Sequence, residues 1–269
     1  IDYEAKLLKP LGSARPRMYG LPKIHKRDCP VRPILSMLGS PQYKISRWLC
    51  RMLQPVLELY SRYVVRDSFQ FVDILRDHSF PDTYVMCSYD VVSLFTNVPL
   101  DKVIDICCET LYHRSLCPPG ELREDSFREM IRLVTSGVEF SFDGVMYRQI
   151  DGVAMGSPLG PVLANIFVGY YECQIPVSLM PPLYVRFVDD SFSYFQSEAQ
   201  CLQFRDLLRK VVDGMLDFTC EFEESDRLPF LDVLVEKSID GGVVTSVYRK
   251  PTFTGLYIVW DSFCATLYI

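Results

Sequence analysis

Tyr184-Val185-Arg186-Phe187-Val188-Asp189-Asp190-Ser191-Phe192-Ser193-Tyr194-Phe195 is the stretch that decides the fold of this chain. Apolar residues flank a short polar break on both sides, the pattern of a β-hairpin whose tip carries two carboxylates. A second apolar strand, Tyr84-Val85-Met86-Cys87-Ser88-Tyr89-Asp90, ends in an acid of its own, 99 residues before Asp189. It turns directly into Val91-Val92-Ser93-Leu94-Phe95. Strand-borne carboxylates that meet in space suit a pair of hard divalent cations. Such ions take oxygen ligands and clamp the attacking and leaving oxygens of a phosphoryl transfer. Asp-Asp is also ordinary turn chemistry, because Asp tolerates unusual backbone angles and bonds its own main chain. The segment between the acids weighs against the plainer reading.

Residues 149–171, QIDGVAMGSPLGPVLANIFVGYY, read as a glycine-rich loop opening an amphipathic helix. Leu159, Val162, Leu163, Ile166, Phe167 and Tyr170 recur at helical spacing. Ser157 is placed as N-cap and Pro158 at the first helical position. Gly152 and Gly156 remove side chains where a backbone must approach a flat or charged partner. A single acid, a glycine loop with its helix and then an acid pair, in that order, form a far more specific arrangement than any one of them.

Outward from this centre, residues 1–40 carry Pro, Gly and basic clusters and predict irregular structure with short strands near Arg32. Residues 42–60 predict one strong helix with Ile45, Trp48, Leu49, Met52, Leu53, Val56, Leu57 and Tyr60 on a face, kinked at Pro55. Helices are expected near 101–113, 124–136 and 198–214, and a hairpin over 138–150 across Asp143-Gly144. Strands are expected near 217–223, 229–236 and 243–249. Stripped of insertions this is β-α-β-β-α-β, a split βαβ arrangement of α+β class. It sets the end of the first strand beside the turn between the two middle strands, so Asp90 and Asp189 converge on topological grounds.

The chain resembles the reverse transcriptase domain of Penelope-like retroelements, relatives of telomerase and of group II intron polymerases. The matching stretches are YGLPKIHK (19–26), RPILS (32–36), SYDVVSLFTNVPL (88–100), GVAMGSPLGPVLANIF (152–167), YVRFVDDSF (184–192), LPFLDV (228–233) and VYRKPTFTG (247–255). They occur in the family's order and span nearly the whole chain. Met155 stands where many reverse transcriptases have Gln, and Val188 where Ala is common before the acid pair.

The resemblance implies a polymerase right hand, a ferredoxin-like palm over residues 82–227 with fingers at 1–81. Residues 228–269 would hold the end of the palm, a primer-gripping hairpin and a truncated tail, with the thumb absent. It implies an RNA-directed DNA polymerase using Mg2+ or Mn2+, two ions, with RNA template, DNA primer and dNTPs as partners. Asp90 and Asp189 would hold the metals, with the Val91 carbonyl as an extra oxygen ligand and Asp190 in support. Arg32 matches the fingers arginine that braces the triphosphate, and its planar fork suits that task. Lys23 or Lys26 supplies a second cation. Phe95 matches the aromatic that packs under the sugar and excludes a 2′-hydroxyl. Gly156 and Ser157 lie along the nucleotide and template base, and Lys250, Pro251 and Thr252 match the primer grip.

Composition agrees with this reading in part. An apolar content of 49% excludes disorder, and the length of 269 residues allows a proper core. No membrane span or signal-peptide pattern is read, an intracellular, nuclear setting is expected, and no obligate protein partner can be inferred from the sequence. The ten cysteines are scattered without a C-x-x-C, which favours reduced thiols. Cys107, Cys108, His113 and Cys117 have a faint zinc-ligand look, yet Cys107, Cys108 and Leu111 continue a helix face begun by Val103 and Ile104. The net charge of −6 sits badly with phosphate binding, but it is unevenly spread. Residues 1–51 hold eleven Lys/Arg against three Asp/Glu, a balance of +8, which leaves −14 on the other 218 residues. Three other functions compete: a decayed retroelement copy that only binds nucleic acid, an RNA-dependent RNA polymerase, and a metal-dependent nuclease. An aromatic at 95 disfavours the RNA polymerase, and a nuclease has no evident use for the glycine loop.

Overall fold

The computed structural model describes residues 8–9, 14–24, 28–81, 83–114, 116, 122–150, 152–238 and 241–255. The chain opens with an antiparallel hairpin of β1 (Arg17–Pro22) and β2 (Val31–Ser36), followed by α1 (Pro41–Met52) and α2 (Gln54–Leu59). Next come α3 (Ser68–Asp77), β3 (Val85–Asp90), the short α4 (Leu94–Asn97) and α5 (Leu100–Cys108). α5 runs on as a π-helical turn over Glu109–His113. α6 (Glu124–Thr135) and the hairpin of β4 (Glu139–Phe142) and β5 (Val145–Arg148) lead to α7 (Leu159–Glu172). β6 (Tyr184–Phe187) and β7 (Asp190–Phe195) precede α8 (Glu198–Val211) and the two-residue β8 (Glu221–Phe222). β9 (Arg227–Phe230), β10 (Val233–Lys237) and β11 (Val243–Val247) end the described chain.

Three sheets result, in the orders β6-β7-β3-β8, β2-β1-β4-β5 and β11-β10-β9. In the first, β3, β6, β7 and β8 are the four strands of the β-α-β-β-α-β pattern, and β3 pairs antiparallel with both β7 and β8. The split βαβ expectation is met: the first strand lies next to the third, and its end abuts the turn from the second to the third.

Two helices, α3 and α8, start where a side chain satisfies an open N–H group. Asp67 accepts from Gln70 N at 2.8 Å to open α3, and that bond is the first cause of its lowered pKa. Ser197 opens α8 by accepting from Gln200 N at 3.4 Å. The helix expected over 42–60 is two helices, parted at Leu53. Pro55 carries no N–H to continue the ladder, so the break falls just before it. The chain stays close to helical there, and Leu49, Leu53, Val56 and Tyr60 remain on one buried side. The strand expected over 229–236 is also divided, because Leu231 adopts φ 55° and turns the chain from β9 into β10. The strand near 217–223 shrinks to Glu221–Phe222 because Asp217 and Thr219 bond the end of β3 instead. The Asp217 carbonyl accepts from Val92 N, and Thr219 N donates to the Asp90 carbonyl, both at 2.9 Å.

α7 is the axis of the main core. Leu163, Ala164, Ile166 and Phe167 are fully buried in it, along with Val103, Ile104, Phe127 and Ile131 from other helices and Leu53 from the break between α1 and α2. Each such large side chain contributes about 1.5–3 kcal/mol of burial. Cys107 and Cys108 are buried in this core as well, which bears out the helix over the zinc-ligand look, although Cys117 lies outside the described residues. The described cysteines are free thiols. Among the described residues no helix is long and apolar enough to cross a membrane.

Candidate active site

Antiparallel pairing brings the acids together. β3 and β7 run in register from Val85↔Phe195 to Asp90↔Asp190, so the two carboxylates end paired strands side by side. β6 and β7 are joined by the two-residue turn Val188-Asp189, with Phe187 paired to Asp190. Val91 N donates to the Asp189 carbonyl at 3.0 Å, tying that turn to the chain leaving β3. Val188 takes φ 58°. A β-branched residue there is strained by about 1–3 kcal/mol and persists only when its surroundings demand it.

Asp90, Asp189 and Asp190 line one cleft of about 680 Å³, together with Lys23, Arg32 and Lys250. The cleft gathers basic residues from β2, the β1–β2 loop and the segment after β11 over an acidic floor. Asp190 reaches solvent, yet the protein around its carboxyl desolvates it. That desolvation, then the charges of Asp189 and Asp90, push its pKa up to about 6, with Lys250 acting in the opposite direction. Carboxylates set against each other in this way favour a bound cation.

Among the described residues no three His, Cys, Asp or Glu side chains form a ready-made metal cage. The crowded aspartates, with oxygen donors only and a raised Asp190 pKa, suit hard divalent ions.

The other sequence-predicted residues fall elsewhere. Val91 is buried, with its amide spent on the Asp189 carbonyl. Phe95 is half-buried on α4 against the main core and does not line the cleft. Gly152 and Gly156 answer to the chain's own backbone. A Cβ on Gly152 would come within 2.7 Å of the Phe95 carbonyl, and one on Gly156 would overlap the Leu35 carbonyl. Both also hold positive φ, 67° and 115°. Ser157 is buried, and its hydroxyl accepts from Leu159 N at 3.3 Å, although the helix is bounded one residue later than expected, with Pro158 already at helical angles. Pro251 and Thr252 form a turn beside Lys250 without lining the cleft. Of the two lysine candidates, Lys23 lines the cleft, and Lys26 lies outside the described residues.

Sequence reasoning missed Arg66, Glu221, Asp232 and Tyr248, all in the cleft wall. Arg66 pairs with Asp67 at 3.0 Å on the exposed side. Arg66 and Glu221 carry no local signal, because folding alone brings them to the acids, whereas Asp232 and Tyr248 sit inside the quoted stretches 228–233 and 247–255. A larger cleft of about 950 Å³ near Phe80, Met180, Phe195 and Phe204 is lined, among the described residues, by apolar and uncharged polar side chains.

No protein-family model matches the chain, and no curated protein matches it. Solved structures do. Apo telomerase from Candida tropicalis superposes with a TM-score of 0.61 at 10% identity, covering 84% of this chain and 47% of that one. Telomerase from Candida albicans, in complex with a TWJ fragment of telomeric RNA, gives 0.61 at 12% identity, covering 86% and 47%. The BmCPV RNA-dependent RNA polymerase in its quiescent state gives 0.54 at 12% identity, covering 87% and 22%. The chain thus spans less than half the length of each of these proteins. At such identities the likeness is one of fold, shared with a telomerase and with a viral RNA polymerase.

Proposed function

We propose that this chain is the catalytic core of a nucleic-acid polymerase, specifically an RNA-directed DNA polymerase of the Penelope-like type. It would transfer a nucleotidyl group from a dNTP to the 3′-hydroxyl of a DNA primer lying on an RNA template. The observation that carries the reading is the register pair Asp90↔Asp190, with Asp189 at the adjoining turn, in one cleft with Lys23, Arg32 and Lys250. The shared fold and the seven motif stretches support it. In this reading residues 1–81 are fingers, 82–227 palm, and 228–269 begin with the primer-gripping hairpin.

Asp90 and Asp189 would hold two Mg2+ ions, or Mn2+ in their place, with Asp190 beside them. Held there by these carboxylates, such ions would supply Lewis-acid charge to the primer hydroxyl and to the departing pyrophosphate. The chain's own part is positioning and charge. Arg32 offers a planar fork to the triphosphate and Lys23 a point charge. Lys250 lines the same cleft, acts on Asp190 through its charge and suits a primer phosphate. The motif resemblance would also give Phe95, on the helix that follows β3 and outside the cleft lining, the task of limiting room at the sugar's 2′ position.

Primer extension on poly(rA)/oligo(dT), with Mg2+ and with Mn2+, tests the reading. The expected result is metal-dependent incorporation of dTTP well above UTP. Folded protein that extends nothing with either ion overturns polymerase activity. The likeness to the BmCPV polymerase favours a second reading, an RNA-dependent RNA polymerase, and efficient UTP incorporation would select it.

A further inference from the structure

The Arg186 side chain is 1% exposed in the strand that leads to the acid pair. Its Nε donates to Glu172 Oε1 at 2.7 Å, and Glu172 is itself 2% exposed at the end of α7. The Tyr184 hydroxyl donates to the same oxygen at 2.7 Å. Nη1 forks, donating to Asn165 Oδ1 at 2.7 Å and to the Val188 carbonyl at 2.9 Å. The backbone is anchored too: Arg186 N donates to the Tyr63 carbonyl at 2.8 Å, and its carbonyl accepts from Val65 N at 2.9 Å.

A buried ion pair adds little net stability once desolvation is counted, so stability alone is a weak reason for this one. The pairing is also incomplete, since Glu172 Oε2 and Arg186 Nη2 have no partner among the described residues. What the network does achieve is directional. The Val188 carbonyl belongs to the rigid peptide plane that carries Asp189 N. The next plane is held by Val91 N on the Asp189 carbonyl. Both planes flanking Asp189 are therefore pinned, and the pinned turn includes a Val at φ 58° that would otherwise relax.

We infer that Arg186 is a positioning residue for the acid pair, its guanidinium oriented by Glu172 and Asn165 of α7 so that it fixes the turn presenting Asp189 and Asp190. The functional consequence rests on the polymerase reading; the mechanical one does not. Helix α7, which opens from the glycine loop, is thereby coupled to the carboxylates through two side chains. Asn165 is the place to test this, because it orients Nη1 without supplying the buried charge.

The experiment compares Asn165→Leu with Asn165→Asp, which keeps the acceptor oxygen, and with Arg186→Lys, which keeps a charge for Glu172 but has no fork. Four quantities are read: melting temperature, amide exchange of residues 187–191, Mn2+ affinity by EPR titration, and kcat with KM for dTTP. Asn165→Leu is expected to melt near the parent, to exchange faster at 187–191, and to lose about 10-fold in Mn2+ affinity and in kcat while KM holds. Arg186→Lys should shift the same way, and Asn165→Asp should restore the parent's values. Parent-like exchange and Mn2+ affinity in Asn165→Leu would overturn the inference, as would equal loss in Asn165→Asp. A parent that extends no primer, with exchange rising in Asn165→Leu as expected, would sink the polymerase reading and leave the positioning role standing.

Discussion

The two larger sheets of this molecule are built on opposite terms. In β6-β7-β3-β8, strands β3, β6 and β7 are mostly buried and stand between α8 and a second cluster around Phe71, Phe192 and Phe230. In β2-β1-β4-β5, five of six residues of β1 and every residue of β5 are exposed. Its own core is small, centred on Leu35, Met37, Val138 and Ala154. The first sheet holds the carboxylates, whose mutual geometry would, under the proposed function, be fixed before any ion or phosphate arrives. The second carries Arg32, and its strands β1 and β2 belong to the basic arm, which under the proposed function would meet a polyanion through charge. Rigid placement asks for burial, and phosphate binding asks for exposure, so one chain spends its apolar residues unequally.

The largest expected effect lies at the floor of the cleft. Asp189→Asn or Asp90→Asn should lower primer extension by about 10³-fold, the scale of losing a main electrostatic contact in a transition state. The melting temperature should not fall, since neither carboxylate holds the core. Extension within a few-fold of the parent in either variant would separate the acids from the chemistry.

The contrast between the sheets is itself measurable as stability. Leu163→Ala, in α7 beneath the acid-bearing sheet, should cost about 2–5 kcal/mol in denaturant unfolding because it leaves a cavity in close-packed surroundings. Val31→Thr on β2, where the side chain is 61% exposed, should stay within about 0.5 kcal/mol. Similar costs at the two sites would mean that the arm is packed far more firmly than its exposure indicates.

Next in size comes Arg32. Arg32→Ala should raise KM for dNTP about 10-fold, with Arg32→Lys restoring only part because a point charge lacks the bidentate fork. Unfolding should be unchanged for both. A kcat effect with KM intact would move Arg32 from binding the triphosphate to acting on the transition state.

These contrasts also explain what was legible in the sequence. The acid-bearing sheet was, because alternating apolar runs and the β-α-β-β-α-β order fix a topology in which Asp90 must meet the Val188-Asp189 turn. The Asp143-Gly144 hairpin was as well: φ values of 47° and 76° are those this dipeptide adopts readily. The division of 229–236 was hidden, since Leu231 at φ 55° is held by its surroundings and has no turn chemistry of its own. Gly156 was read toward a ligand, and the structure gives it the Leu35 carbonyl as a neighbour. Arg66 and Glu221 reach the cleft from separate elements, so no spacing announces them, while Asp232 and Tyr248 lay inside quoted stretches without being singled out. Arg186 could have been flagged: a lone cation inside an apolar strand has to find a buried partner.

The smallest effect concerns the same acids as the first, with the chemistry taken away. Asp190 has a pKa near 3.8 in an unfolded chain and about 6 in the folded one, raised by burial and then by Asp189 and Asp90. Folding therefore favours its protonated form, and the stability it contributes is complete below pH 3.8 and lost as pH rises through about 6. Asp190→Asn removes that loss. In metal-free buffer the variant should match the parent near pH 4 and become the more stable protein above pH 6. The gain is modest because the group reaches solvent. Divalent ions should narrow the gap by stabilising the parent, whose carboxylates they neutralise. A gap of constant size from pH 4 to 8 would show that Asp190 feels no repulsion from its neighbours. The acid-bearing sheet would then lack the electrostatic tension that distinguishes it from the arm.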